Sequence, residues 1–333
     1  MTDAPASASN TQDSVLRSLF DGLRPSAKPT FVLLTGQVGA GAGRAIGSIR
    51  AERGHDLVPV SADDLRAFHP RFLDETFMDS PVGRREVAES TAAWLQAALT
   101  HARENRLSVI LEGAFRSPDV ALGVAGRFAG DGYEVELVVV AVREEESLLA
   151  ATSGSLRRVR AHRPTGFTSV LEHAETFRGT RALVAASGND SRVNRVSVFG
   201  RRGDIVFDER RSPSVETFRE VTGALVSAQS ERMTSLESAQ WLGELRRVTA
   251  YAHSLPAMPP VSHEALIELH QMAIQRVVPE LPVPAGSEVV EIQQRRLAAE
   301  LIELRRGASH HPEPTDGAAP VAQPGHRPVS LDR

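Results

Sequence analysis

One stretch decides the fold of this 333-residue chain: Phe31-Val-Leu-Leu-Thr-Gly36-Gln-Val-Gly39-Ala-Gly41-Ala42-Gly43-Arg44. The apolar run from Phe31 predicts a buried strand, and the segment after the glycine-dense turn has the apolar spacing of a helix. A strand, a glycine-rich turn and a helix in this order can hold a phosphate, because free backbone N–H groups and the helix N-terminus face one point. We therefore expect a phosphate-binding loop here.

The loop matches the Walker A pattern, G-x-x-x-x-G-K-[ST], at Gly36 and Gly41. Ala42 stands where the pattern has lysine, and Gly43 stands where it has the hydroxyl that binds Mg²⁺. Arg44 is rotated by about 200° from position 42 on an ideal helix, so we expect it to point away from the phosphates. A second register, with Gly43-Arg44-Ala45 in place of Gly-Lys-Thr, requires a glycine at Val38 and is disfavoured. The predicted nucleotide-binding positions are Gly36, Gln37, Gly39, Ala40, Gly41, Ala42, Gly43 and Arg44.

Composition limits the function classes. The net charge of -4 gives no reason to expect nonspecific binding to nucleic acid or membrane. The absence of cysteine excludes disulfides, thiol nucleophiles and Cys-ligated zinc, and it fits a cytoplasmic protein. No apolar run approaches the roughly 18 residues that a membrane-spanning helix needs, and residues 1–13 do not have the pattern of a signal peptide. Lys28 is the single lysine, so any substitute for the missing loop lysine must be an arginine.

Strands and helices alternate from residue 29 to residue 210, which predicts an α/β fold with a mostly parallel sheet and helices on both faces. The predicted strands are 31–34, 57–60, 108–112 and 135–142, followed by a hairpin of 193–199 and 205–207. Ligands bind beyond the carboxyl ends of the strands in such sheets. Gly36, Asp63, Glu112 and Arg143 each follow a strand, so one cleft can gather them.

The sequence divides into four parts. We expect residues 1–28 to form a disordered tail with a short helix at 15–23, and residues 29–225 to form the α/β domain. Residues 226–307 predict a helical extension, with a capping box at Thr234 and Glu237 and a second helix capped by Ser262. This extension is interpreted as an appendage packed on the core, with a partner-binding arm as the alternative. Residues 308–333 predict a disordered tail in which His310 and His311 are solvated.

Three further stretches resemble the zeta toxin family of P-loop kinases. Ser61-Ala-Asp63-Asp64-Leu-Arg66-Ala-Phe-His69-Pro70 is similar to its D-x-F-R-x-x-H-P segment. Leu111-Glu112-Gly113-Ala114-Phe115-Arg116-Ser-Pro-Asp119-Val is similar to its E-G-T-x-R-x-x-D-V segment, and Gly132-Tyr133-Glu-Val is similar to its G-Y-x-V segment. The resemblance covers about residues 29–210. It implies phosphorylation of UDP-N-acetylglucosamine with ATP and Mg²⁺, the Mg²⁺ site being weakened by Gly43. It also implies a toxin restrained by a small antitoxin protein, although the sequence does not decide whether this chain has one.

The resemblance assigns roles to single residues. Asp63 matches the catalytic aspartate, since a carboxylate there can orient the sugar hydroxyl and accept its proton. The alternative is that Asp63 caps a helix beginning at Leu65, as we expect of Asp64. Glu112 and Arg116 match residues that hold the sugar nucleotide, the alternative being a buried ion pair at the strand end. Arg66 and His69 can each contact phosphate or merely hold their segment in place, and Arg66 is taken as a candidate substrate contact. Gln96 is a further candidate, which aligns loosely with a substrate-binding glutamate of the family.

The family grips the transferred phosphate with two arginines. Arg157 or Arg158 supplies the first of them here, as a catalytic residue. The second position falls on Gly166, and the nearby Arg163 is the candidate to replace it. Three functions therefore stay open: a sugar-nucleotide kinase, a pseudokinase that binds nucleotide or sugar nucleotide without turnover, and a phosphotransferase for another hydroxylated metabolite.

Overall fold

Six strands form one sheet in the computed structural model, which describes residues 4–54, 56–163, 166–212, 214, 217–284 and 286–308. The strands are β1 (Thr30–Thr35), β2 (Val58–Ser61), β3 (Val109–Gly113), β4 (Glu134–Val140), β5 (Arg195–Phe199) and β6 (Ile205–Arg210). Their order across the sheet is β2-β3-β1-β4-β5-β6, and only β6 is antiparallel to its neighbour. The predicted α/β fold, its mostly parallel sheet and its terminal hairpin are confirmed.

Twelve α-helices lie within the described residues. They are α1 (Ala4–Phe20), α2 (Ala42–Arg53), α3 (Ala62–Leu65), α4 (Glu75–Asp79), α5 (Pro81–Glu104), α6 (Pro118–Gly130), α7 (Glu144–Arg160), α8 (Val170–Asn189), α9 (Val221–Ser230), α10 (Ser235–Ser254), α11 (Pro260–Met272) and α12 (Glu288–Ala308). Two 3-10 turns, Arg66–Phe68 and Val278–Glu280, and one π-helical turn, Ala273–Val277, connect some of them. The helices cover both faces of the sheet, so its inner strands are apolar on both sides.

Strand β1 shows how the two faces are built. Phe31 and Leu33 belong to the larger apolar core, which includes residues of α1, α5, α6, α8 and α9. Val32 and Leu34 point to the opposite face, where they pack with Ile49 of α2. This alternation follows from the two-residue period of a strand. The strand order places β1, and therefore the glycine-rich loop that follows it, in the middle of the sheet.

The expected disorder of residues 1–14 is wrong for the part that the structure describes, because α1 begins at Ala4. Its C-terminal half packs on α5, where Val15 is fully buried and Phe20 stacks against His101. Alanine is the strongest helix former, and the Ala/Ser-rich residues before Val15 extend the packed segment as helix. Residues 1–3 and the expected tail from residue 309, including His310 and His311, lie outside the described residues.

The residues after 226 pack on α7 through a shared apolar core. Leu148 and Leu156 of α7 meet Trp241 of α10 and Leu266 of α11 there. The predicted capping box is present, since Thr234 accepts from the backbone N–H of Glu237, whose carboxylate accepts from the N–H of Thr234. The predicted cap at Ser262 is wrong. α11 begins earlier, at Pro260, because proline suits the first helical position, and Ser262 is buried inside the helix.

Candidate active site

The glycine-rich loop joins the end of β1 to α2. Gly39 and Gly41 have φ values of +86° and +87°, a backbone conformation that glycine adopts without strain. A Cβ atom on Gly39 would lie 2.1 Å from the carbonyl oxygen of Ser147, because the loop leans directly on α7. The conformation of the loop and its contact with α7 therefore both require glycine at position 39.

Contacts with the segment after β4 and with α8 hold the loop, and a contact between α7 and α8 lies behind it. The side-chain amide of Gln37 is buried and donates to the carbonyl of Val142 at 2.6 Å, so this side chain supports the loop from within. The backbone N–H of Val38 donates to Oγ1 of Thr176 on α8 at 3.4 Å. His173, one turn before Thr176, lies 2.9 Å from the hydroxyl of Ser147 on α7, where burial lowers the pKa of the imidazole. These buried groups align α7 and α8 behind the loop.

The two departures from the Walker pattern lie at the start of α2. Ala42 is half-buried and packs against the apolar cluster around Ile49. No atom lies within 4 Å of where a Cβ on Gly43 would be, so a larger side chain fits there. Arg44 is exposed, and its guanidinium donates to the carbonyl of Arg201 at 3.4 Å. The lysine position thus carries a methyl group, and the loop's own cation points toward the turn between β5 and β6.

A cleft of about 460 Å³ lies beside the loop. It is bounded by the end of β4, by α7, by the turn between β5 and β6, and by the loop residues Gly39, Ala40, Gly41, Gly43, Arg44 and Ala45. Apolar residues such as Val142 and Phe199 form part of its wall. Glu146 also lines the cleft, and burial is the main cause that raises the pKa of its carboxyl. The room and the backbone N–H groups of the loop suit a phosphorylated ligand of nucleotide size.

Carboxylates gather beyond β2 and β3, beside the loop. Ser61 pairs with Glu112 across these strands, and α3 begins directly after Ser61. Burial and the nearby charges of Asp64 and Asp63 raise the pKa of the Glu112 carboxyl. The side chain of Asp63 is 77% exposed, and its carboxylate forms an ion pair with the guanidinium of Arg66 at 2.9 Å. Asp63 is therefore accessible to a hydroxyl of a substrate.

The expectation that Asp64 caps a helix beginning at Leu65 is wrong, because α3 already begins at Ala62. Ser61 is the N-cap, because its hydroxyl accepts from the backbone N–H of Asp64 at 3.1 Å and donates to the Asp64 carboxylate at 2.8 Å. Asp63 does not cap this helix either. Its carboxylate pairs with Arg66 and does not bond to the helix backbone. Because the side chain is largely exposed, a substrate hydroxyl can still reach it.

Arg116 does not form an ion pair with Glu112. It contacts Glu172 at 3.0 Å and Glu175 at 3.4 Å, both on α8. The alternative of a buried ion pair at the strand end does not hold, since the guanidinium is about two-fifths exposed. Gln96 lies on the exposed face of α5 and donates to Thr100 on the next turn. It lies about 200° around the helix from Trp94, which packs toward the core.

His69 supports its segment. The ring is buried, stacks on Phe77, and accepts from the backbone N–H of Arg71 at 3.2 Å. Arg157 and Arg158 are exposed at the C-terminal end of α7. They share a helix face with Ala150, which lines the cleft, but lie about 10 Å further along the axis. Neither arginine is among the described residues that line the cleft.

Reasoning from sequence missed the wall that the turn between β5 and β6 supplies. Arg201 is 7% exposed and contacts Glu146 at 3.7 Å and Glu237 at 3.2 Å, while its guanidinium donates to the carbonyls of Glu231 and Arg232. The stretch Gly200-Arg-Arg-Gly-Asp204 reads locally as a hairpin turn, and its position beside the loop depends on the strand order. No sequence pattern around Thr176 predicts its contact with the loop.

A glycine-rich loop after the central strand of a mostly parallel sheet defines a protein with a P-loop kinase-like fold. Within that class, the chain belongs to the zeta toxin family, whose model, described as zeta toxin, matches residues 14–212. A solved structure from the PezAT chromosomal toxin–antitoxin system of Streptococcus pneumoniae has the same fold. Its TM-score is 0.61 at 21% identity, covering 75% of this chain and 98% of the other.

Curated relatives are similar over part of their length. Toxin PezT of Streptococcus pneumoniae serotype 4 is 29% identical over 138 residues, which are 40% of this chain and 53% of the relative. Toxin zeta of Streptococcus pyogenes is 24% identical over 140 residues, which are 42% and 49% of the two chains. The chain spans about half the length of the curated relatives it matches.

Two further properties concern only the described residues. None of their helices combines the length and apolarity that crossing a membrane requires. No group of three or more His, Asp or Glu side chains among them is arranged to hold a metal ion, and Gly43 offers no hydroxyl. The loop therefore lacks the side-chain oxygen that the Walker pattern offers to Mg²⁺.

Proposed function

We propose that this protein is a phosphotransferase that moves the γ-phosphoryl group of ATP to a hydroxyl of a small substrate. A sugar nucleotide of the UDP-N-acetylglucosamine type is the first candidate. The observation that carries the proposal is the position of Asp63 and Glu112. These carboxylates lie at the ends of β2 and β3, beside the loop that follows the neighbouring strand β1.

The chain's own residues suggest the following step. Backbone N–H groups of the loop bind the phosphates, and Asp63 accepts the proton of the substrate hydroxyl as its oxygen bonds to the γ-phosphorus. The bond between that phosphorus and the β–γ bridging oxygen breaks, and ADP leaves. Arg66 orients the Asp63 carboxylate. Glu112 accepts a hydrogen bond from a second hydroxyl of the substrate.

The missing lysine favours a second candidate, a pseudokinase that binds nucleotide or sugar nucleotide without turnover. Removing one electrostatic element of a transition-state site costs about 10²–10³ in rate. Here the methyl group of Ala42 packs into an apolar cluster and supplies no charge. Arg157 and Arg158 are not among the described residues that line the cleft, so a replacement role requires one of them to reach into it.

The two candidates are separated by turnover. We would incubate the full chain with ATP and UDP-N-acetylglucosamine and measure ADP and phosphorylated sugar nucleotide by mass spectrometry. The kinase proposal expects product that depends on both compounds and disappears in Asp63→Asn, while Asp13→Asn on α1 behaves as wild type. Calorimetric binding without product favours the pseudokinase, and the absence of binding to either compound contradicts both.

We also propose a toxin role with a small antitoxin partner, acting in the cytoplasm, where ATP and sugar nucleotides are available. The fold neighbour from a toxin–antitoxin system supports this proposal. Induced expression in a bacterial host is expected to arrest growth, and Asp63→Asn is expected to relieve the arrest at equal protein level. Equal growth arrest by both proteins would refute a toxin role through phosphotransfer.

A further inference from the structure

The charged side chains that line the cleft are Arg44, Glu146 and Arg201. Arg201 is buried and faces Glu146 and Glu237. Glu146 also accepts from the backbone N–H of Arg143 at 3.2 Å. Arg44 is exposed, and the contact described for it is one 3.4 Å hydrogen bond to a carbonyl. Among the described residues lining the cleft, Arg44 is therefore the cation that a bound anion can recruit.

The position of Arg44 on α2 decides which phosphate it can reach. In a Walker loop the lysine at position 42 reaches the β- and γ-phosphates, and the backbone N–H groups cradle the α- and β-phosphates. Arg44 lies about 200° around the helix from position 42, on the side of the turn between β5 and β6. Its hydrogen bond to Arg201 fixes that direction. The cation of this loop therefore lies on the side away from position 42, where a Walker lysine reaches the γ-phosphate.

We propose that this cleft recognises the nucleoside diphosphate part of its ligand through Arg44 and does not select for a γ-phosphate or for Mg²⁺. This inference rests on the proposed function, since it assumes that the loop binds nucleotide. The groups that read the γ-phosphate in a Walker site are the lysine and the metal-binding hydroxyl, and both are absent at Ala42 and Gly43. The extra negative charge of ATP therefore finds no additional partner compared with ADP.

The inference has a regulatory consequence for the proposed kinase. An enzyme that binds ADP as tightly as ATP is inhibited by its own product, so its rate follows the ratio of ATP to ADP. Such inhibition is competitive with ATP, because both nucleotides use the same α- and β-phosphate contacts.

The test is calorimetry on the full chain with ADP, ATP and AMP, each in EDTA and in MgCl₂. We expect the Kd values of ADP and ATP to agree within about threefold and to be unchanged by Mg²⁺. Arg44→Gln is expected to weaken both by about 10- to 100-fold, the usual effect of losing a charge-assisted hydrogen bond. Arg295→Gln, which alters an exposed ion pair on α12, is the matched control and should leave both unchanged.

A second variant keeps the test informative if Arg44→Gln folds poorly. Ala42→Lys combined with Gly43→Thr restores the lysine and the metal-binding hydroxyl of the Walker pattern, and the space beside Gly43 accepts the larger side chain. This double variant should bind ATP more tightly than ADP, and only with Mg²⁺ present. Wild-type protein that prefers ATP at least tenfold, or that needs Mg²⁺, would overturn the inference and leave the phosphotransferase proposal standing. Absence of binding to any nucleotide would overturn both.

Discussion

The ion pairs of Glu237 link residues 226–308 to the turn that borders the cleft, and their contribution to stability can be tested. Glu237 occupies the third position of α10, where it completes the capping box with Thr234. Its carboxylate also accepts from Arg202 at 3.0 Å and faces Arg201 at 3.2 Å, in the turn that borders the cleft. The hydrogen bond from Arg202 is the main cause that lowers the pKa of Glu237 to about 2. Replacing Glu237 with Gln keeps the shape and removes the charge.

The magnitude follows from the pKa difference. The lowering of the Glu237 pKa from 4.5 to about 2, at about 1.4 kcal/mol per pH unit, sets an upper limit of roughly 3.5 kcal/mol. The carboxylate is 23% exposed, so solvent and salt screen part of this, and we expect Glu237→Gln to cost about 1–2 kcal/mol at pH 7. A depressed carboxyl pKa stabilises the fold above the unfolded value. This stabilisation is lost as the pH falls from about 4.5 to about 2.

Chemical denaturation at pH 7 and at pH 3 measures this effect. The difference in the free energy of unfolding between wild type and Glu237→Gln should shrink as the pH falls. Glu303→Gln on α12 is the control and should differ from wild type by less than about 0.5 kcal/mol at both values. The reasoning is refuted if Glu237→Gln is as stable as wild type at pH 7, or if its deficit does not change with pH.

Three further predictions concern the site itself. Ala42→Lys with Gly43→Thr should raise any ATP turnover by about 10²–10³, and an unchanged rate would show that the loop is not what limits the chemistry. Gly39→Ala should abolish nucleotide binding in calorimetry because its Cβ meets the backbone of α7, whereas Gly243→Ala, in open space within α10, should stabilise the fold by about 0.5–1 kcal/mol. Glu112→Gln should raise the free energy of unfolding at pH 7, because a raised carboxyl pKa means that ionisation of Glu112 destabilises the fold as the pH rises. The same substitution should weaken substrate binding. A lower free energy of unfolding in Glu112→Gln would contradict the burial argument.

Much of the fold is encoded in short patterns. The apolar runs of the strands, the capping box at Thr234 and the glycines of the loop each depend on residues within about four positions of one another. The α/β class, the strands and the terminal hairpin could therefore be predicted from the sequence. The places of Asp63 and Glu112 at strand ends could be predicted for the same reason, whereas their roles in the site stay predictions that rest on the resemblance to the zeta toxin family.

The tertiary structure decided what surrounds the loop. Thr176 supports Val38 across 138 positions of sequence, and Glu237 reaches Arg202 across 35. Arg116 turned to α8, because the carboxylates on that helix lie nearer to its guanidinium. Such contacts depend on strand order and helix packing, and no local pattern carries that information. The sequence by itself determined that a phosphate loop without lysine follows a buried strand. Only the packing of distant elements decided that its remaining cation, Arg44, faces the cleft.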